Sequence, residues 1–134
     1  MKILLDEQLS SDLIHYFPSP FQVFTPNDLG WSGFQNGVLR EKLNERNFQF
    51  LISADKNMPF QQNFSKMNYT VISLDTPSME WENQVLFVEK LLKFLSNLPN
   101  PLPKLVWVNI DGFAATEKIQ AIQKILPLNE ILFI

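Results

Sequence analysis

Residues 2–7 read Lys-Ile-Leu-Leu-Asp-Glu, and this stretch decides how the rest of the chain is interpreted. Its apolar run does not alternate with polar residues, which is typical of a strand buried on both faces of a parallel sheet. Asp6 and Glu7 end the run abruptly. Because a charge is costly to bury without a partner, we expect the Asp6 carboxylate to need a partner at the end of this strand.

Strand-like apolar runs alternate along the chain with segments of helical spacing. The predicted strands are residues 2–5, 21–24, 48–53, 69–74, 105–110 and 131–134. The predicted helices are a short one after residue 10 or 11, then 36–46, 59–66, 79–97 and 116–126, with a loop over 26–34. This alternation predicts a three-layer α/β/α sandwich with a mainly parallel central sheet.

Length and composition limit the classes of function. The 134 residues suit a single domain. The chain has no cysteine, which excludes disulfides, thiolate nucleophiles and cysteine zinc sites and fits a cytoplasmic location. No run of about 18 apolar residues occurs, so no membrane segment is expected. The net charge of −3 argues against a large basic surface for nucleic acid, but not against an enzyme that contacts phosphates through a metal.

Carboxylates follow several of the predicted strands. Asp6 and Glu7 follow the first strand, Asp28 lies after the second, Asp55 after the third and Asp75 after the fourth. In a parallel sheet these positions share one edge, and ligands bind there where the strand order reverses. Clustered carboxylates repel one another unless a cation intervenes, and oxygen ligands suit Mg²⁺ or Mn²⁺. Such an ion would polarise a phosphodiester and help to activate water.

A structural alternative stays open for each acid, because aspartate also favours turns and helix caps. This alternative is weakest for Asp6, which ends a buried strand. Asp75 precedes Thr-Pro and is predicted to be a turn residue, and Asp111 belongs to an Asp-Gly turn without a role. His15 is the only histidine, so no site with two histidines exists. Neither a nucleophile-elbow motif nor a glycine-rich nucleotide motif is present.

Three further positions are candidates for substrate binding. Trp31, with Phe34, either stacks on a base or covers the edge of the core. Lys56 either contacts a phosphate or pairs with a neighbouring acid. Gln62 stands in Gln-Gln-Asn at 61–63 and either hydrogen-bonds a ligand or covers a helix surface.

Four motifs in combination resemble a bacterial family of PIN-like proteins of unknown function. They are Lys-Ile-Leu-Leu-Asp-Glu at 2–7, Asp-Leu-Gly-Trp-Ser-Gly at 28–33, Ser-Ala-Asp-Lys-Asn at 53–57 and Gln-Gln-Asn at 61–63. The resemblance covers about residues 1–96. Each motif is weak alone, but the combination is specific.

The resemblance implies a PIN-like α/β/α sandwich. Residues 1–134 would form a single domain, with 97–134 as a C-terminal extension that packs on it. It also implies a Mg²⁺- or Mn²⁺-dependent endoribonuclease, with RNA as substrate. The family is thought to supply the toxin of toxin–antitoxin pairs, so a cognate antitoxin is the implied protein partner.

Carried over by position, Asp6 matches the acid that ends the first strand and Asp55 the acid after the third. Glu7 and Asp28 match acidic positions around the same edge. The resemblance implies that the catalytic residues are Asp6, Glu7, Asp28 and Asp55. It implies that Asp6, Asp28 and Asp55 are the metal ligands. Members often carry another acid where the helix after the Gly-Trp-Ser-Gly motif begins. Here that position is Asn36, a weak carbonyl ligand without charge and a candidate for substrate binding.

Two other readings remain. A chain that keeps this fold but lacks the acid at Asn36 would serve as a catalytically inactive interaction or binding module. Residues 131–134, Ile-Leu-Phe-Ile, are very apolar and would support self-association as a homodimer.

Overall fold

A computed structural model describes residues 1–55, 57–110 and 116–134. Within these ranges, six strands form one sheet in the order β2-β1-β3-β4-β5-β6, and every neighbouring pair is parallel. The strands are β1 (Lys2–Leu5), β2 (Gln22–Phe24), β3 (Phe50–Ser53), β4 (Thr70–Asp75), β5 (Leu105–Asn109) and β6 (Ile131–Phe133). The predicted class, a mainly parallel α/β sandwich, is therefore confirmed.

In the described residues, five α-helices and three short 3₁₀ helices connect the strands. The α-helices are α1 (Pro26–Leu29), α2 (Asn36–Glu45), α3 (Met58–Gln61), α4 (Trp81–Ser96) and α5 (Thr116–Gln123). The 3₁₀ helices span Ser11–Tyr16, Phe64–Lys66 and Leu128–Glu130. Across the described parts of the chain, no helix is both long and apolar enough to cross a membrane.

Two predicted elements differ from the structure. The predicted loop over 26–34 begins with α1, because Thr25 caps that helix and Pro26 occupies its first turn. The predicted helix over 59–66 is divided, since the chain is extended at Gln62 and Asn63 between α3 and the following 3₁₀ helix. Both differences arise from local capping and backbone geometry.

The side chains of each strand alternate between two apolar layers. Ile3 and Leu5 lie in the layer that also contains the buried face of α4, whereas Leu4 lies in the opposite layer with residues of α2 and α5. All residues of β3 are buried, as expected of a strand covered on both faces. The sheet is thus covered by apolar residues on both faces.

The strand order reverses at β1. The chain passes from β1 to β2 on one side and then crosses to β3 on the other, after which β4, β5 and β6 extend the sheet in the same direction. Ligands of doubly wound sheets bind outside the carboxyl ends of the strands at such a reversal. Here the reversal lies between the ends of β1 and β3, where Asp6 and Asp55 follow their strands.

Candidate functional site

Asp6 and Asp55 meet at the hydroxyl group of Ser53. The Asp6 N–H donates to the Ile52 carbonyl at 2.9 Å, which extends the pairing of β1 with β3 beyond the end of β1. The Ser53 Oγ donates to Asp6 Oδ2 at 3.1 Å and accepts from the Asp55 N–H at 3.1 Å. Two acids far apart in the chain are therefore joined by one buried serine at the end of β3.

The Asp6 carboxylate is held where its charge is unfavourable. Burial is the main cause that raises the pKa of Asp6, and the negative charges of Glu7 and Asp55 raise it further. Hydrogen bonds from the Glu7 N–H, 2.8 Å from Oδ1, and from the Ser53 hydroxyl act in the opposite direction. A cation beside Asp6 would remove this penalty, because it favours the charged form of the carboxylate.

Asp55 also organises the start of α3. Its Oδ1 accepts from the Asn57 N–H at 3.0 Å, and its carbonyl accepts from the Met58 N–H at 3.2 Å. The turn role that the sequence left open for this acid is thus present alongside its proximity to Asp6. Lys56, the predicted phosphate contact, lies outside the described residues.

A cavity of about 500 Å³ opens beside Asp6. Glu7 and Ser10 line it on the side that follows β1, and Asp28 lines it with the start of α1. The Asp28 carboxylate belongs to a capping box: its Oδ2 accepts from the Thr25 N–H at 3.0 Å, and its N–H donates to the Thr25 Oγ1 at 3.2 Å. Asp28 therefore faces the cavity while one of its oxygens stabilises α1.

The oxygen donors near Asp6 fit a hard divalent cation. Within residues 1–55, 57–110 and 116–134, no three acidic or histidine side chains form a group that holds a metal by themselves. The structure thus brings Asp6 and Asp55 together but does not add Asp28 to them as a third ligand. Mg²⁺ often binds through one or two carboxylates and keeps several waters, so Asp6 and Asp55 are the residues that would hold it.

Asp75 is not a simple turn residue, and that prediction is wrong. It is the last residue of β4, and its side chain is only 13% exposed. Its Oδ2 accepts from Trp107 Nε1 at 3.2 Å and from Asn109 Nδ2 at 3.1 Å, while Oδ1 pairs with Lys118 Nζ at 3.2 Å. The partners come from β5 and α5, so the chain around Asp75 could not reveal them. One signal was available: Trp107 and Asn109 are two residues apart and share one face of a strand.

None of the other predicted substrate contacts in the described residues lines the cavity beside Asp6. Trp31 is only 7% exposed and packs on Phe48 with ring centroids 5.7 Å apart, so it covers the core as the alternative reading proposed. Gln62 lines a separate cavity of about 570 Å³ near α5. Asn36 is the exposed first residue of α2, and no acid lies in the first turn of that helix.

No protein-family model matches this chain, and no curated protein or solved structure matches it.

Proposed function

We propose that this chain is a Mg²⁺-dependent endoribonuclease of PIN-like type whose centre is the Asp6–Asp55 pair. The observation that carries the proposal is that the Asp6 carboxylate and the Asp55 N–H contact one hydroxyl group, that of Ser53, between the ends of β1 and β3. The Asp55 charge thereby lies close enough to Asp6 to raise its pKa. This is the reversal point of the sheet, where parallel α/β folds bind their ligands. By its resemblance in sequence, we further propose a cytoplasmic toxin that a cognate antitoxin restrains.

The residues around the pair hold each carboxylate in one orientation. The Glu7 N–H and the Ser53 hydroxyl each occupy one oxygen of Asp6, and the Asn57 N–H occupies Oδ1 of Asp55. Such outer contacts orient metal ligands and tune their affinity. A bound Mg²⁺ would supply Lewis-acid polarisation of a phosphodiester and a more acidic water.

Glu7 and Asp28 would act from the walls of the adjacent cavity. Glu7 is exposed next to Asp6 and is the candidate general base for the attacking water, because its carboxylate caps no helix among the described residues. Asp28 is restricted by Thr25, so we assign it a supporting role at the opposite wall. The excess of negative charge in this cavity would favour cations over a free phosphodiester.

The first test is cleavage of a labelled single-stranded RNA in the presence of Mg²⁺ or Mn²⁺. We expect Asp6→Asn and Asp55→Asn each to reduce cleavage by about 100-fold or more, and Ser53→Ala to reduce it by about 10-fold. Asp12→Asn, a change of an exposed acid in the 3₁₀ helix Ser11–Tyr16, is the matched control and should cleave normally. Cleavage that survives in both Asp6→Asn and Asp55→Asn would refute the proposal.

A second candidate function is an inactive interaction module, favoured by Asn36 at the start of α2 in place of an acid. Calorimetric titration with Mn²⁺ separates the two functions without relying on activity. An endoribonuclease centre should bind Mn²⁺ and lose that binding in Asp6→Asn. A folded wild-type chain that neither binds Mn²⁺ nor cleaves RNA would be assigned to the interaction module.

A further inference from the structure

Tyr16 and Trp81 form an exposed aromatic pair where the 3₁₀ helix Ser11–Tyr16 meets the start of α4. Their ring centroids are 6.1 Å apart with planes tilted by 56°. The two residues are 43% and 42% exposed. Tyrosine and tryptophan are enriched at the centres of protein interfaces, because each buries a large area with few rotatable bonds. An exposed pair of this kind indicates a binding surface.

Buried Gln84 fixes the two elements that carry the pair. Its Oε1 accepts from the Ser10 N–H at 2.9 Å, and its Nε2 donates to the Met79 carbonyl at 2.6 Å. The residue before the 3₁₀ helix and the residues before α4 are thereby held against one side chain of α4. The aromatic pair is therefore preorganised, which reduces the entropy lost when a ligand binds.

The sequence around both members of the pair is acidic. Neither lysine nor arginine occurs in residues 3–39 or 67–89, the two stretches that contain the 3₁₀ helix and the start of α4. These stretches carry Asp6, Glu7, Asp12, Asp28, Asp75, Glu80, Glu82 and Glu89. Closest to the pair in sequence are Asp12, in the first turn of the 3₁₀ helix, and Glu80 and Glu82, which flank Trp81. All three are exposed.

We propose that Tyr16 and Trp81 form the centre of a docking surface for a basic, amphipathic segment of a partner protein. Apolar side chains of that segment would cover the two rings, and its lysine or arginine side chains would face Asp12, Glu80 and Glu82. A cation over an aromatic ring is favourable, and complementary charges select and steer the partner. The exposed acids that neighbour the two residues in sequence repel phosphates, so the charges favour a basic protein segment over RNA.

The test uses the full chain and a fluorescein-labelled synthetic helix built of leucine and lysine, with binding measured by fluorescence anisotropy. We expect Trp81→Ser and Tyr16→Ser each to weaken binding by about 10-fold or more, as truncation of a central aromatic does. Phe34→Ser is the matched control, because Phe34 is a similarly exposed aromatic that stacks on Trp31 over the other apolar layer. It should leave the affinity unchanged.

A second arm tests the charges and the competing ligands. Glu80→Gln combined with Glu82→Gln should weaken peptide binding and reduce its dependence on salt. If wild type, Trp81→Ser and Tyr16→Ser bind the peptide with equal affinity, binding arises from general charge attraction alone. That result would overturn the proposal. Single-stranded RNA binding that depends on Trp81 would also overturn it, as would a wild-type dimer that dissociates in Trp81→Ser. Unchanged urea midpoints establish that the serine variants are folded. The proposal requires that both Trp81→Ser and Tyr16→Ser weaken peptide binding.

Discussion

At the scale of single residues, Asp6 is the position where charge and burial conflict most clearly. The folded protein raises the pKa of Asp6 above its ordinary value of 3.8, chiefly through burial. The folded state therefore binds this proton more tightly than the unfolded chain does. It follows that ionisation of Asp6 lowers the free energy of unfolding. The loss begins as the pH rises above 3.8 and is complete once the pH exceeds the pKa of Asp6 in the folded state.

We predict that Asp6→Asn increases stability near neutral pH when no divalent cation is present. The isosteric amide removes the buried charge and keeps an oxygen that accepts from the Glu7 N–H. The measurement is urea unfolding of both proteins from about pH 3.5 to about pH 7. The gain over wild type should grow as the pH rises. A gain that is equal at both ends of this range would contradict the raised pKa of Asp6.

Asp75 is expected to be a stabilising residue, in contrast to a turn aspartate. Asp75→Ala leaves Trp107 Nε1, the Asn109 amide and Lys118 without their carboxylate acceptor. We predict a loss of about 3 kcal/mol in the free energy of unfolding, measured by urea titration. Lys118→Met, which removes only the half-exposed partner, should cost about 1 kcal/mol or less. A loss of only a few tenths of a kcal/mol in Asp75→Ala would restore the turn assignment.

The sequence predicts where Asp6 and Asp55 lie in the sheet, but not which side chains contact Asp6 or Asp75. Asp6 and Asp55 each follow a buried apolar run, and a parallel sheet places both runs' ends at one edge. The role of Ser53 between them depends on which strands are neighbours, a property of the folded sheet. The partners of Asp75 and the burial of Trp31 likewise depend on side-chain directions and distant elements. Such contacts are invisible in the local sequence.

At the scale of elements, α1 shows that local polar contacts can form a helix where composition predicts a loop. Thr25 and Asp28 form a reciprocal capping box, and Gly30 ends the helix with a φ of 70°. We predict that Thr25→Ala destabilises the protein by about 1 kcal/mol, because it removes the hydroxyl acceptor of the Asp28 N–H. Thr25→Ser keeps the hydroxyl and is the matched control. Equal urea midpoints for wild type and Thr25→Ala would show that the capping box adds no stability.

The strands were predicted more accurately than the short helices, for a physical reason. β1 and β3 are buried on both faces, so their apolar runs are continuous and can be recognised even over four residues. α1 and α3 have only four residues each, too few for a helical repeat of apolar positions to be recognised. Their boundaries depend on caps and on single backbone torsions at the following residues. Apart from its capping residues, the sequence of such a short helix gives little basis for predicting it.

At the scale of the whole molecule, alternation of strands and helices predicts a parallel sheet but not the order of its strands. β1 lies between β2 and β3, and this order depends on how the crossover segments pack across the sheet, not on the sequence of any one strand. This order makes Asp6 a candidate ligand-binding residue, because it places the end of β1 at the reversal point of the sheet. A cation bound there would contact residues from both β1 and β3 and link ligand binding to the stability of the entire sheet.

We therefore predict that Mn²⁺ stabilises the folded chain through Asp6 and Asp55. A free Mn²⁺ concentration about ten times the Kd adds about 1.4 kcal/mol to the free energy of unfolding, provided that the unfolded chain does not bind the ion. For a domain of this size the expected rise in Tm is about 5 °C. Asp6→Asn and Asp55→Asn should abolish the rise. Asp28→Asn, which keeps an oxygen for the Thr25 cap, should retain it because Asp28 does not join the pair. Loss of the rise in Asp28→Asn would instead extend the site across the cavity, and a rise that persists in Asp6→Asn would place the ion elsewhere.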